Sequence, residues 1–171
     1  MGMSDVRPAP CPDCRALVPD VDGPTHAYLG GSAGCWAAWG ELQARGYGDL
    51  SAAAAMPLAI DAYAAQHHGL AGRRQAQSVW VHLVSLCAIL ERGLAPADGI
   101  WLKHEMLRHD PVFPWLAPPA DPGPVTVLDA TAAGPEEFAP VVWRWGASVW
   151  EAWTAHHGTI RERTAVELAR R

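Results

Sequence analysis

The sequence predicts a mainly α-helical fold, namely a single-domain helical bundle with a loop-rich, metal-pinned N-terminal segment. Apolar residues recur at helical spacing in several stretches after residue 33, which is typical of helices that pack around one core. The one strand-like run, VTVLDAT, is too short to form a sheet by itself. Half of the 171 residues are hydrophobic, which is enough for one domain with its own core.

The N-terminal segment is rich in residues that interrupt regular structure. Prolines and glycines crowd VPDVDGP and GGSAG, so residues 11–34 are expected to form turns rather than a long helix or strand. A bound metal would order such a segment. We therefore expect a flexible tail over residues 1–10, and then a single domain made of a Cys/His metal-binding loop (11–35) and a helical bundle (36–171).

Five helices are expected in the bundle, because glycines and prolines mark their ends. Glycines after periodic apolar stretches are natural helix stops, and a proline followed by two glutamates suits a helix start. Six prolines between residues 111 and 124 predict an extended connection. The predicted helices run over about residues 33–45, from Asp49 or Ser51 to Gly69, over 73–92 with Gly93 as the stop, over a short stretch before Pro111, and from Pro135 to the C-terminus.

Four residues near the N-terminus have the spacing of metal ligands. Cys11 and Cys14 form a C-x2-C pair, and His26 and Cys35 follow within the turn-rich segment. Three thiolates and one imidazole are sufficient for tetrahedral zinc, whereas thiolates disfavour calcium and magnesium. Zn2+ is therefore the expected cofactor. A redox-active pair is the alternative for Cys11 and Cys14, and simple burial at a helix start is the alternative for Cys35.

Several polar side chains on the predicted helices could meet inside the bundle. Helical bundles build metal and catalytic sites from facing helices in this way. We interpret Asp61, His67 and His82 as acid–base residues, because burial can shift a carboxylate and an imidazole into a useful pKa range. The alternative is a set of separately hydrogen-bonded histidines. The further side chains expected to bind a ligand in this pocket are Tyr63, Gln66, Ser78, His156 and His157.

Charge and hydropathy exclude several function classes. The formal net charge is -5 and no basic cluster stands out, so no nucleic-acid partner is expected. No apolar run is long enough to span a membrane, and the N-terminus lacks the pattern of a secretory signal. We therefore expect a cytoplasmic protein without a membrane partner. Arg73 and Arg74 are interpreted as surface charge, with the binding of an anionic group as the alternative.

Two function hypotheses follow from these features. The preferred one is a zinc-binding helical protein that acts as a small metalloenzyme on a small molecule through the polar His/Asp pocket. The alternative is a zinc-stabilised protein-interaction or small-molecule-binding module without catalysis. Many exposed tryptophans among the nine would favour interaction, whereas a closed core beside a polar cavity would favour the enzyme. The zinc is structural if four protein ligands close it, and catalytic if one position stays open.

A set of motifs runs through most of the chain, namely CPDC, GPTHAYLGGSAGCW, DAYAAQHHG, QSVWVHLVSLC, ERG and VWEAWTAHH. Together they resemble an uncharacterised bacterial family of domains of unknown function, with C-P-x-C, G-P-T-H-x-Y, G-C-W, D-A-Y-x-x-Q-H-P-G, S-V-x-x-H-L and W-x-x-H-H motifs. The resemblance implies that the Cys/His loop and the helical histidines belong to one unit, and it implies no particular chemistry. The chain departs from it at His68, where the family has proline, and at Met56, where the resemblance implies a histidine.

Overall fold

The computed structural model describes residues 7–108 and 110–170, except for the side chain of Ser51. The prediction of a mainly α, single-domain protein is confirmed. None of the described helices is both long and apolar enough to cross a membrane. The elements in chain order are β1 (Pro8–Pro10), β2 (Leu17–Pro19), α1 (Ala33–Gly48), α2 (Leu50–Ala53), α3 (Met56–Gln66), α4 (Arg73–Arg92), α5 (Asp98–Leu107), α6 (Val127–Ala132), α7 (Pro135–Ala152), a 3₁₀ turn (Thr154–His156) and α8 (His157–Leu168).

A short hairpin precedes the bundle, and its turn carries the first two cysteines. β1 pairs antiparallel with β2. In the turn, the Cys11 N–H donates to the Ala16 carbonyl (2.8 Å), and the chain reverses through Arg15, whose φ is 62°. The predicted flexible tail is therefore wrong for Pro8–Pro10, because these residues pair with β2. Residues 1–6 of that tail lie outside the described residues.

α3 is the central helix of the bundle. It packs against α4 and α7, and α4 in turn packs against α8. Alanines such as Ala59 and Ala62 are fully buried on α3, so neighbouring helices approach it closely. Where α7 crosses α3, a Cβ atom on Gly146 would lie only 2.9 Å from Leu58 Cδ1. This close packing determines the positions of the polar side chains that α3 carries.

Gln66, predicted to bind a ligand, instead connects three parts of the core. Its amide nitrogen donates to the carbonyls of Pro122 (3.0 Å) and Val125 (2.9 Å), and its oxygen accepts from the Trp145 indole (3.0 Å). Both amide N–H groups and the oxygen are thus satisfied inside the protein, as buried polar groups require. Gln66 therefore holds the proline-rich connection against α3 and α7 and is not available to a ligand.

The VTVLDAT run forms helix α6 and not a strand. The Thr126 hydroxyl accepts from the Leu128 N–H (3.3 Å), and the Asp129 carboxylate accepts from the Thr126 N–H (2.8 Å). This reciprocal capping box satisfies backbone donors that a helix start would otherwise leave unpaired. The short helix then packs against α1, which decides between helix and strand for a run of ambiguous periodicity.

The predicted single C-terminal helix is broken in two. α7 ends at Ala152, a 3₁₀ turn follows, and α8 begins at His157. At the break, the Trp153 indole is buried and donates to the Ala65 carbonyl on α3 (3.2 Å). The turn redirects the chain so that α8 lies against α4 and α5. The break therefore follows from packing on the core.

Gly93 and Gly40 provide a matched test of helix-end geometry. Gly93 follows α4 with φ 71°, in the left-handed region that costs other residues roughly 1–2 kcal/mol, whereas Gly40 lies within α1 with open space around it. We expect Gly93→Ala to lower the free energy of unfolding by about 1 kcal/mol, and Gly40→Ala to raise it by up to about 1 kcal/mol. Urea unfolding followed by circular dichroism measures both. Equal effects of the two substitutions would contradict this assignment.

Candidate metal centre and polar pocket

Three cysteines and one histidine form a buried cluster where three segments meet. Cys11 and Cys14 come from the hairpin turn, Cys35 from the first turn of α1, and His67 directly follows α3. One ligand atom from each residue lies within 4.8 Å of the others, and the four residues are at most 2% exposed. This cluster, called the Cys3His cluster below, can hold a metal ion.

The distances within the cluster fit a tetrahedral metal. Cys14 Sγ lies 3.8 Å from Cys35 Sγ, which in turn lies 3.2 Å from His67 Nε2. A metal about 2.3 Å from each sulfur spaces two tetrahedral sulfurs roughly 3.8 Å apart. All four cysteines of the chain are free thiols. The C-x2-C pair therefore lies in a metal-type cluster with Cys35, and not at the helix start typical of a redox pair.

The His67 ring is held in the orientation that a metal ligand needs. Its Nδ1 donates to the Tyr63 carbonyl one turn earlier in α3 (2.7 Å), so the lone pair for a metal lies on Nε2. The Tyr63 ring stacks on His67 at 4.0 Å, and the Tyr63 hydroxyl lies 3.8 Å from Cys35 Sγ. α3 thus presents His67 to the cysteines already oriented.

The cluster holds protons that a metal ion must displace. Hydrogen bonds from Cys14 and Cys35 lower the pKa of the Cys11 thiol, whereas those from Cys11 and Cys35 raise the pKa of Cys14. Burial acts to lower the pKa of His67, but hydrogen bonds to Cys11 and Cys35 outweigh it and raise that pKa to about 10. Metal binding is therefore coupled to proton release, and it weakens as the pH falls.

The structure corrects the predicted fourth ligand. His26 lies outside the cluster, because its Nδ1 accepts from the N–H groups of Leu29 (3.3 Å) and Tyr28 (3.4 Å) and its ring packs near Trp36. His67 occupies the place expected for His26, so the acid–base interpretation of His67 is wrong as well. Its only sequence signal is its position at the end of α3, since its distance from the cysteines along the chain conceals the contact.

A second cluster of polar side chains surrounds Asp61 on α3. This fully buried carboxylate accepts from His82 Nδ1 (2.7 Å), the Ser85 hydroxyl (2.5 Å) and the Lys103 ammonium (2.5 Å). Burial by itself would raise the pKa of Asp61, but its contacts with His82 and Lys103 outweigh burial and hold that pKa below its usual value. The carboxylate is therefore ionised, and it orients the His82 ring.

His82 presents its second ring nitrogen to a cavity. Because Nδ1 donates to Asp61, the lone pair lies on Nε2, which makes no hydrogen bond within residues 7–108 and 110–170. Burial lowers the pKa of His82, although Asp61 partly opposes this effect. The imidazole is thus neutral at pH 7, and Nε2 can accept a proton.

Two adjoining cavities meet at His82 and Ser78. The larger, of about 640 Å³, lies between the start of α4 and α5, and the smaller, of about 240 Å³, extends to Tyr63. Tyr28 also lines both cavities. Ser78 is 7% exposed, and its hydroxyl has no hydrogen-bond partner in the described part of the chain. An unpaired buried hydroxyl beside a cavity marks a place for a polar group of a ligand.

The two remaining predicted ligand-binding residues lie away from these cavities. His157 stacks flat on Trp150, with ring centroids 3.8 Å apart, and donates through Nε2 to the Trp150 carbonyl (2.8 Å). His156 donates to the Ala117 carbonyl in the proline-rich connection (2.8 Å). Both histidines therefore hold the C-terminal helices in place, which corrects their interpretation as part of the His82 pocket.

Lys103 is a pocket residue that the sequence does not reveal. It lies on α5, a short helix whose sequence contains no distinctive motif. The packing of α5 against α4 and α3 brings its ammonium group to Asp61. Lys103 and Asp61 are 42 residues apart in the sequence, and no local pattern indicates that they meet.

The fold and the site define a small helical protein in which a buried Cys3His cluster attaches an N-terminal hairpin beside a polar pocket. The chain belongs to the family of unknown function DUF5946, whose model matches residues 9–154. The matched range contains the whole cluster and the Asp61–His82 pair, and the predicted membership of a family of unknown function is confirmed. No curated protein and no solved structure gives a significant match.

Substitution of the two candidate histidine ligands distinguishes their roles. We expect about one metal ion per chain in the wild type and in His26→Ala, and a clear loss of metal in His67→Ala, because only His67 reaches the three thiols. Elemental analysis of protein purified without added metal measures the content. Cys87→Ser is the matched cysteine control, since Cys87 is buried outside the cluster. Metal loss in His26→Ala with retention in His67→Ala would contradict the ligand assignment.

Removal of the Asp61 charge tests the buried ionic group. Asp61→Asn leaves the Lys103 ammonium without its buried partner, so we expect a loss of about 3–5 kcal/mol in the free energy of unfolding. The double variant Asp61→Asn, Lys103→Met should recover part of that loss. Asp110→Asn is the control, because its ion pair with Arg73 is mostly exposed and should contribute less than about 1 kcal/mol. Chemical denaturation measures all three, and equal losses for Asp61→Asn and Asp110→Asn would refute the assignment.

Proposed function

We propose that this protein is a zinc-stabilised enzyme that acts on a small molecule in the cavity at His82, with Asp61 and His82 as its acid–base pair. The observation that carries the proposal is the arrangement of His82. A buried carboxylate holds one ring nitrogen, the other ring nitrogen is unpaired among the described residues, and the ring lines a cavity. This is the geometry of an oriented general base.

The chemistry of the Cys3His cluster supports zinc as its metal. Three thiolates and an imidazole are soft or borderline ligands, and a tetrahedral set of this kind is typical of structural zinc. Because four protein ligands surround the site and all are buried, no position is left for water or substrate. The zinc would therefore stabilise the hairpin, α1 and α3, while the chemistry takes place at His82. We expect elemental analysis to identify the metal as zinc.

The acid–base step would use groups that are already in place. His82 Nε2 would take a proton from a hydroxyl or a similar donor of the substrate, or from water. Asp61 would then stabilise the imidazolium through the hydrogen bond to Nδ1. Lys103 supports this role, because its charge keeps the Asp61 carboxylate ionised. The position of His82, mostly buried in the cavity wall, strengthens these electrostatic interactions.

A binding module without catalysis is the second candidate. It is favoured by the Ser78 hydroxyl, which makes no hydrogen bond to His82, so no nucleophile–base pair is assembled among the described residues. A protein-interaction module has less support, because Trp143 is the only exposed tryptophan of the nine, all of which lie in the described ranges. The acidic net charge supports the absence of a nucleic-acid partner, and the unpaired thiols support a cytoplasmic location.

Metabolite profiling tests the proposed function, because a mixture of metabolites offers many candidate substrates at once. A metabolite extract is incubated with wild type or with His82→Gln, and masses are compared over time. We expect one compound to be consumed by the wild type and to react about 100-fold or more slowly with His82→Gln, as loss of a general base predicts. Arg144→Gln, at an exposed position on α7, is the control and should behave as wild type.

Retention of a compound by the protein is the second outcome that the same experiment measures. A compound that stays with the protein through ultrafiltration, without a change of mass and only when His82 is present, would support the binding module. If no compound is consumed or retained in a His82-dependent manner, both candidates are overturned. Circular dichroism and thermal unfolding of His82→Gln verify that the variant is folded.

A further inference from the structure

We propose that the larger cavity binds a small molecule that carries an oxyanion group, phosphate or carboxylate, at the start of α4, and a hydroxyl group that reaches His82. Arg74 supplies the counter-charge, Ser78 donates to the ligand, and His82 Nε2 accepts from its hydroxyl. This inference rests on the proposed function, since it names the substrate class of the same site.

The charges around the cavity are the first support. Arg73, Arg74 and Lys103 all line it. Asp110 pairs with Arg73 (2.7 Å), and Asp61 pairs with Lys103. Arg74 has no ion-pair partner in the part of the chain that the structure describes. The cavity therefore has one uncompensated positive charge at its rim, which an anionic ligand would balance.

The N-terminal start of α4 is the second support for an anion site. This helix is 20 residues long, its N-cap Gly72 provides no side-chain cap, and its first turn contains no acidic residue. A helix start carries partial positive charge and unpaired N–H groups, which favour an anion. Instead, two arginines occupy this turn. Cations at a helix start are unfavourable by themselves, so their placement points to an anion that both the arginines and the backbone would bind.

Ser78 is the independent observation that a ligand belongs here. It lies one turn beyond Arg74 and lines the cavity. Ser78 is more than nine-tenths buried, and its hydroxyl has no hydrogen-bond partner among the described residues. Buried hydroxyls are normally paired, and an oxygen of the ligand would accept from this one. The start of α4 and the unpaired Ser78 hydroxyl thus indicate the same binding place for an anionic ligand.

The spacing along α4 specifies the shape of the ligand. Arg74, Ser78 and His82 are four residues apart and share one face of the helix, spanning about 12 Å along its axis. Because Nδ1 of neutral His82 already donates to Asp61, Nε2 can only accept. His82 therefore requires a proton donor on the ligand. A ligand with an oxyanion at one end and a hydroxyl at the other meets these requirements. The cavity volume of about 640 Å³ suits a small molecule.

Titration with three simple compounds tests the proposal. The probes are glucose 6-phosphate and gluconate, which combine an oxyanion with a hydroxyl at the other end of a six-carbon molecule, and neutral glucose, which has hydroxyls only. Nuclear magnetic resonance at low ionic strength follows the Ser78 amide and the His82 ring. We expect one or both anions to shift these signals saturably and glucose to leave them unchanged. The anion that binds more tightly identifies phosphate or carboxylate as the source.

Charge variants identify the counter-charge. Arg74→Gln should weaken anion binding by about tenfold or more, as the loss of a charge-assisted hydrogen bond predicts. Ser78→Ala should weaken it to a lesser degree, and Asp110→Asn should strengthen it, because Arg73 is then released. Arg144→Gln is the matched arginine control and should bind as wild type. All of these side chains except Ser78 are exposed, so their variants should fold.

Two results would overturn the proposal: no saturable shift with either anion, or binding that Arg74→Gln leaves unchanged. Consumption of a neutral metabolite in a His82-dependent manner, together with either result, would overturn this inference and leave the proposed function standing. Anion binding that depends on Arg74, without any metabolite consumed or retained through His82, would support the anion site and overturn the proposed function.

Discussion

The contact between His67 and the three cysteines is the constraint on which the N-terminal half of the protein depends. His67 directly follows α3, the central helix, and its Nε2 faces Cys35 at the start of α1 and the hairpin turn. One metal ion held there would join the hairpin turn, the start of α1 and the residue that follows α3. Because such a site forms only when all of its ligands are brought together, metal binding and the folding of this region are linked.

α3 also connects the cluster with the pocket. Asp61 lies on α3, six residues before His67. Tyr63, between them, stacks on His67 and lines the smaller cavity. Movement of α3 would therefore displace the metal ligand and the His82 partner together. Asp61 holds its charge in the core only because His82, Ser85 and Lys103 surround it. The pocket thus has its polar wall formed before a ligand arrives, which lowers the cost of binding.

Much of the fold follows from local sequence signals. Two elements differ from the prediction, the VTVLDAT run and the C-terminal helix. Gly93 marks the end of α4, and Pro135 the start of α7, as expected. Glycine adopts the left-handed conformation at a helix end without steric cost, and proline has a fixed φ that suits a helix start. The strand-like reading of VTVLDAT is wrong although its T-x-x-D capping box is visible in the sequence. The break at Trp153 has no such signal, because it results from the burial of one indole against α3.

The candidate site divides in the same way. Cys11, Cys14 and Cys35 could be recognised from their spacing, and Asp61, Ser78 and His82 from their residue types on predicted helices, because periodicity and ligand chemistry act over short distances along the chain. Tertiary packing decided the choice of His67 over His26 and the contact of Lys103 with Asp61. It also gave Gln66, His156 and His157 hydrogen-bond partners away from the His82 pocket. Apart from the bond of His157 to Trp150, these contacts join residues far apart in sequence, and their formation depends on how whole helices cross. No local pattern of residues encodes that crossing.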